Sequence, residues 1–239
     1  MLQAQLQVQR ADDRYRGGDP PAGIDTRHAF SFSGHYDPDN TGFGLLVACN
    51  EERLAPGAGF AEHPHRDLEI VSWVLEGELT HEDSTGRTTT VRPGELQRLS
   101  AGSGVRHVER NAGGAPLRFL QMWLVPGVFG RRPEYEVVRD GTVGKGYALP
   151  GTDARLSVHR PRAGERVTLP PAPFCYLHAV AGRLTISGAE SATLAPGDAA
   201  RLRRGPEPLD PWGPTVTTVT AEENAEFLLW EMGGEPTYG

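Results

Sequence analysis

The sequence predicts an all-β protein carrying two similar β domains in one chain of 239 residues. Three observations support this. Apolar runs are short, rich in Val, Leu, Ile and Phe, and bounded by Gly, Pro and Asp, as expected of strands joined by turns. With Gly 30 and Pro 20, the composition suits a sandwich or barrel better than a helical fold. A pair of turn motifs in the first half also recurs in the second.

Along the first half, residues 43–49 form one apolar run. Residues 70–75 and 78–81 flank Glu76-Gly77, which reads as a hairpin turn. Residues 88–91 follow the turn Asp83-Ser84-Thr85-Gly86. Pro93-Gly94 precedes a strand over 96–99, and another follows over 106–110. Residues 117–125 are apolar on both faces, the pattern of a central strand. No helix is predicted before Gly130. Residues 126–133, rich in Pro, Gly and Arg, read as a linker, which sets the domains at residues 1–130 and 131–239.

The repeat rests on two anchors. Leu75-Glu76-Gly77-Glu78-Leu79-Thr80 resembles Val180-Ala181-Gly182-Arg183-Leu184-Thr185, and Val91-Arg92-Pro93-Gly94-Glu95 resembles Leu194-Ala195-Pro196-Gly197-Asp198. Two similar anchors at similar spacing indicate a duplicated domain.

Charge and cysteine usage exclude several classes. Net charge is −7 and the pI is about 5.6, whereas a nucleic-acid binder normally shows a basic stripe. Arg131-Arg132 and Arg201, Arg203 and Arg204 are short clusters that read as solvated faces. Cys49 and Cys175 lie far apart and outside any CxxC pair, so neither a disulfide framework nor a thiolate zinc site is expected. No apolar stretch approaches the roughly 18 residues of a membrane span, and the polar first residues do not resemble a leader. The expectation is a cytoplasmic monomer with no nucleic-acid or membrane partner.

The chemistry concentrates in two short pairs. In an extended strand, residues i and i+2 share a face, so His63-Pro64-His65 can aim two imidazoles at one ion. His107-Val108-Glu109 repeats the geometry with an imidazole and a carboxylate. A barrel can bring the two strands together although four predicted strands lie between them. Three imidazoles and a carboxylate suit Fe(II), Ni, Cu, Co, Mn or Zn, and the set alone does not choose among them. Counting from the repeat anchors, Thr168, Pro170, Asp210 and Trp212 stand where the second half would carry ligands. The duplicate keeps the scaffold without the histidines. No G-x-S-x-G elbow is present, Ser103 reads as a turn, and Gly57-Ala58-Gly59 lacks the helix of a dinucleotide fingerprint.

These residues also carry a family resemblance. Gly57-x5-His63-x-His65-x3-Glu69 resembles the first motif of the cupin superfamily. The runs HPHRDLEIVSWVLEGELTHEDSTG and PGELQRLSAGSGVRHVE closely resemble the pirin family, and RHAFSFSGHYDP and FLQMWLVPGVFGRRPEYE fit it as well. The likeness is strong over residues 28–135 and thinner beyond, where SVHR at residues 157–160 still fits.

The resemblance implies a bicupin: two tandem cupin barrels, with one metal, usually iron(II), in the N-terminal barrel. The family's ligands fall on His63, His65, His107 and Glu109, and the C-terminal barrel would lack ligands. In many cupins the glutamate of the first motif is a ligand. Parity would allow Glu69 that role, but the pirin pattern favours Glu109 and leaves Glu69 to support the site. His81 would be exposed or would back a ligand, His28 and His35 would lie on a loop surface, and His159 and His178 would be structural. Two functions follow from the resemblance. One is a quercetin 2,3-dioxygenase-like enzyme opening a flavonol-like substrate with dioxygen, with Glu109 as general base. The other is an iron-binding regulatory module that contacts a protein partner and turns nothing over.

Overall fold

The computed structural model describes residues 5–139, 143–205 and 216–236. Among them the only helices are the short 3-10 turns Ala11–Asp13 and Pro20–Ala22, and no helix is long and apolar enough to cross a membrane. The remainder is strands and connections, in two compact units.

The first unit, Arg14–Asp140, closes two antiparallel sheets over one another. The larger sheet runs in the order Glu134–Val138, Leu96–Ser100, Glu69–Glu76, Leu117–Leu124, Leu46–Leu54, Ile24–His28 and Tyr15–Asp19. Facing it is a four-stranded sheet of Gly59–His65, Val105–Arg110, Leu79–Asp83 and Thr88–Val91. Leu117–Leu124 lies at the centre of the larger sheet, as its two apolar faces predict. One cluster, including Ile24, Leu54, Val74, Leu117 and Phe119 from the large sheet and Leu79 and Val91 from the small, fills one part of the interior. Another joins Ile70 and Leu99 to Ala101 and Val105. The metal-type residues predicted from sequence lie on the smaller sheet.

The second unit repeats this plan. Its larger sheet is Gln5–Gln9, Ala199–Arg203, Phe174–Ala181, Glu226–Met232, Ala154–His159 and Tyr147–Ala148, and its smaller sheet is Arg166–Thr168, Thr218–Ala221, Leu184–Ser187 and Ser191–Leu194. Both units are therefore the two-sheet barrels expected of a bicupin.

Three expectations need correction. Glu76-Gly77 is not a hairpin turn. Glu69–Glu76 pairs with Leu96–Ser100 and Leu117–Leu124, whereas Leu79–Asp83 pairs with Val105–Arg110 and Thr88–Val91. The dipeptide is the corner where the chain leaves one sheet for the other. Gly77 has φ 73°, and a Cβ there would lie 2.5 Å from the Pro116 carbonyl oxygen, so only glycine fits. Gly182 turns the same corner in the second unit, with φ 73° and the Asn224 carbonyl at 2.6 Å.

Residues 126–133 are not a free linker. Asp67 Oδ1 accepts from the Gly130 N–H at 2.6 Å, and the Arg131 carbonyl accepts from the Ser103 N–H at 2.7 Å. The boundaries at 130 and 131 shift accordingly. Glu134–Val138 completes the first unit's sheet, while Gln5–Gln9 pairs with Ala199–Arg203 and assigns Met1–Asp13 to the second unit.

Candidate metal centre

Val105–Arg110 is the middle strand of the site. Opposite His107 stand His63 on one neighbouring strand and Asp83 on the other, and opposite Glu109 stand Phe60 and His81. Between these pairs the single residue Val108 stands against two, Ala61 and Glu62, a β-bulge. Such bulges re-aim side chains beside functional sites, and this one sets His63 directly against His107.

The three predicted histidines converge. Their ring centroids are 4.8 Å apart for His63 and His65, 4.5 Å for His63 and His107, and 5.0 Å for His65 and His107. His107 Nε2 lies 3.1 Å from His63 Nε2. Two imidazole nitrogens brought that close form the kind of cluster that a cation would bridge. His63 Nδ1 lies 2.7 Å from the Ala61 carbonyl. A carbonyl only accepts, so Nδ1 carries the proton and Nε2 keeps its lone pair for the site.

Glu109 is fully buried and held by two amides. Gln97 Nε2 donates to Oε1 at 2.7 Å and Gln121 Nε2 donates to Oε2 at 2.5 Å. Each glutamine is oriented in turn by an aromatic donor: the Tyr135 hydroxyl donates to Gln97 Oε1 at 3.0 Å, and Trp123 Nε1 donates to Gln121 Oε1 at 3.1 Å. Every carboxylate oxygen retains a second lone pair. The donor atoms fall into two overlapping groups, His63 with His65 and His107, and His81 with His107 and Glu109. Glu109 thus meets the histidine cluster through His107. Converging imidazoles beside a buried carboxylate fit a divalent transition metal.

Other residues stand differently from expectation. Glu69 takes a hydrogen bond from the Ser100 hydroxyl at 2.6 Å and faces Arg98 at 3.6 Å, and it belongs to neither group. His81 is completely buried and stacks on Tyr135 at 4.4 Å. His28 is a buried strand residue beside Asn50 rather than a loop residue, and His35 is half-buried. His159 meets Ser157 and stacks on Phe227, while His178 is buried in Phe174–Ala181.

The second unit is an internal control. Asp210 and Trp212 lie outside the described residues, but strand register identifies the equivalent positions directly. Thr185 opposes Thr220 and Ile186 opposes Val219, as Thr80 opposes Arg110 and His81 opposes Glu109. Val219 therefore replaces Glu109, Thr217 replaces His107 and Ile186 replaces His81. The Leu169 N–H donates to the Thr217 carbonyl, which puts Leu169, not Thr168, opposite the His107 equivalent. The shift arises downstream of the site, where Leu169 stands 13 residues before Gly182 but His63 stands 14 before Gly77. Ala200 and Leu229 likewise take the places of Gln97 and Gln121. Leu169, Ile186, Ala200, Val219 and Leu229 all pack in one apolar cluster. The same scaffold thus closes around aliphatic side chains, so it does not itself require the polar cluster of the first.

Burial and mutual repulsion shape the protonation states. Burial is the larger cause and the neighbouring imidazoles add to it, holding His107 at about 3 and His65 at about 4. Both are neutral at pH 7 and can donate lone pairs. Glu52, buried and accepting from Thr26 Oγ1 at 2.5 Å, is pushed up to about 8, mainly by desolvation.

These groups fix the sign of the apo-protein's pH dependence. Below pH 6.5 the unfolded chain takes up protons that folded His65 and His107 refuse, so stability falls with falling pH. Glu52 acts in the opposite direction. Its contribution is complete below about pH 4.5 and is lost as pH rises to about 8. Each proton is worth about 1.4 kcal/mol per pH unit. Together they place the apo-protein's maximum near pH 6.5, and Glu52→Gln is expected to flatten the decline between pH 6.5 and 8. Thermal melts from pH 4 to 9 check this. A descending limb of equal slope in wild type and Glu52→Gln would reject Glu52 as its source.

The pirin family model matches residues 9–124. A Mycobacterium tuberculosis relative, provisionally named a quercetin 2,3-dioxygenase, is 41% identical over 97% of this chain and 96% of its own. The Escherichia coli quercetin 2,3-dioxygenase is 32% identical over 87% of this chain and 91% of its own. Among solved structures, the E. coli bacterial pirin YhhW in complex with nickel(II) superposes with a TM-score of 0.84 at 27% identity, covering 96% of this chain and all of that one. The fold, the shared motifs and these relatives lead to one assignment: the chain belongs to the pirin family.

Proposed function

We propose that the first barrel holds one divalent transition metal through His63, His65, His107 and Glu109, and that the protein is a dioxygenase opening flavonol-like substrates. The observation that carries the metal reading is the convergence of three imidazoles beside a fully buried, amide-held carboxylate. The nickel(II) complex of the E. coli pirin supports it, and iron(II) is the metal expected from the family resemblance. The second barrel, with Leu169, Thr217 and Val219 at the matching positions, holds none.

The quercetin 2,3-dioxygenase name of the E. coli relative supports the reaction class. A bound metal supplies Lewis acidity and redox chemistry with dioxygen. The chain's own groups do the rest. An open cleft of about 410 Å³, lined by Pro64, His65, Arg66, Ser84, Gly104, Val105 and Arg106, reaches the cluster at His65 and gives a planar aromatic substrate its approach. Glu109, with a lone pair left on each oxygen, accepts the proton of the substrate's 3-hydroxyl. Gln97 and Gln121 keep the carboxylate aimed while it does so.

The test is oxygen uptake with quercetin by protein loaded separately with Fe, Ni, Co, Mn or Cu. Uptake accompanied by carbon monoxide release is the expected result. No uptake with any of these metals, across several flavonols, overturns the enzyme reading in favour of an iron-binding regulatory module.

A further inference from the structure

A buried chain of three side chains runs outward behind the histidine cluster. His107 Nδ1, on the edge away from His63, lies 3.4 Å from His81 Nδ1. His81 Nε2 lies 3.3 Å from Asp83 Oδ2. The His81 side chain is fully buried and that of Asp83 is 1% exposed. All three residues project from neighbouring strands, Val105–Arg110 and Leu79–Asp83.

The far end of the chain is fixed. Asp83 Oδ1 accepts from the backbone N–H and the hydroxyl of Thr85 and from the Arg87 N–H at 3.4 Å, in the turn that closes the hairpin to Thr88–Val91. Arg87 Nη1 stands 3.6 Å from Oδ2. Burial works against the Asp83 charge, but these donors outweigh it and hold the carboxyl below its usual range. Burial pulls the His81 imidazole down, against the opposing pull of Glu109 and Asp83. The chain therefore ends in a carboxylate fixed by the Thr85 and Arg87 donors, with two imidazoles in line behind it.

We propose that Asp83 and His81 are positioning residues that dictate the tautomer of His107. A carboxylate only accepts, so His81 must carry its proton on Nε2, which leaves its Nδ1 bare. His81 Nδ1 then draws the His107 proton to Nδ1, in place of the alternative in which His107 Nε2 donates to His63, and Nε2 is left as a lone pair directed at the metal position. A carboxylate-to-histidine contact usually acts on a ligand directly; here it acts through an intervening imidazole. Tyr135, stacked on His81, keeps that ring in plane for the transfer of orientation. The inference rests on His107 being a ligand, but the tautomer itself is readable without metal.

Asp83→Asn provides the decisive reversal. The Thr85 and Arg87 donors hold the amide oxygen in the place of Oδ1, so the amide NH2 takes the place of Oδ2. It donates to His81 Nε2, moves the His81 proton to Nδ1, and turns His107 Nδ1 into an acceptor. The His107 proton then sits on Nε2 and blocks the metal position. Nitrogen NMR of the histidine rings in metal-free protein is expected to show His107 as the Nδ1–H tautomer in wild type and the Nε2–H tautomer in Asp83→Asn. Nickel(II) titration calorimetry is expected to show about 10–100-fold weaker binding in the variant. Wild-type His107 protonated on Nε2 overturns the proposal, whether or not the variant folds. So does a folded Asp83→Asn with the wild-type tautomer. Failure of wild type to bind nickel with the Nδ1–H tautomer present would count against the metal reading alone and leave the relay standing.

Discussion

His107→Ala is expected to yield protein with less than about a tenth of a metal ion per chain, where wild type carries about one. No other residue belongs to both groups of potential donors, and its ring touches His63, His65 and His81. Its loss removes one of the proposed ligands and also leaves His81 Nδ1 buried with no partner from that side. Stability reports the same event. Metal at about a thousandfold excess over its Kd stabilises a folded protein by about 4 kcal/mol, so added metal should raise the melting temperature of wild type and leave that of His107→Ala unchanged. Elemental analysis with thermal melts checks both. Equal metal in the two proteins would remove His107 from the site.

Glu109→Gln is expected to lower turnover about 10²–10⁴-fold at matched metal occupancy, the usual cost of losing a general base. The variant keeps the shape of the side chain but not its acceptors. Both carboxylate oxygens face amide NH2 groups, from Gln97 and Gln121. One end of the new amide must therefore set donor against donor. A buried donor left unpaired costs about 1–3 kcal/mol, so the variant should also melt earlier, and metal content must be matched before rates are compared. Oxygen uptake with quercetin in reloaded protein gives the result. Equal rates would leave the enzyme standing and remove Glu109 as its base. Glu69 would not replace it, because Ser100 and Arg98 hold that carboxylate apart from the cluster.

Much of the site was readable from residue spacing alone. His-x-His and His-x-Glu each place two side chains on one strand face, and that parity survives into the folded barrel. His81-Glu82-Asp83 has the same spacing in the same region, so the relay behind His107 carried a signal that could have been followed. Gln97, Gln121, Trp123 and Tyr135 carried none. They reach Glu109 through pairings between strands distant in sequence, and no local pattern encodes which glutamine will face which carboxylate. Glu76-Gly77 misled for a related reason. A glycine at positive φ announces a sharp change of direction, but the sheet that receives the next strand depends on partners further along. Simple counting between the repeats failed because the strand-to-corner interval differs by one residue, 14 from His63 to Gly77 against 13 from Leu169 to Gly182, and a one-residue error moves the count to the other face.

The pairing of Gln5–Gln9 with Ala199–Arg203 bears on the order in which the protein folds during its synthesis. The residues of the first barrel, Arg14–Asp140, are contiguous and can close once they have left the ribosome. Gln9 must wait for Ala199, 190 residues later. At about 5–20 residues per second, synthesis from residue 140 to residue 203 alone takes about 3–13 s. During that interval the metal-type barrel is complete while a free strand hangs from its start, with an open row of amides and carbonyls. The cluster at His63, His65 and His107 can form before the last sheet exists, and an interruption of synthesis in the second half would cost the partner barrel its edge while leaving that cluster intact.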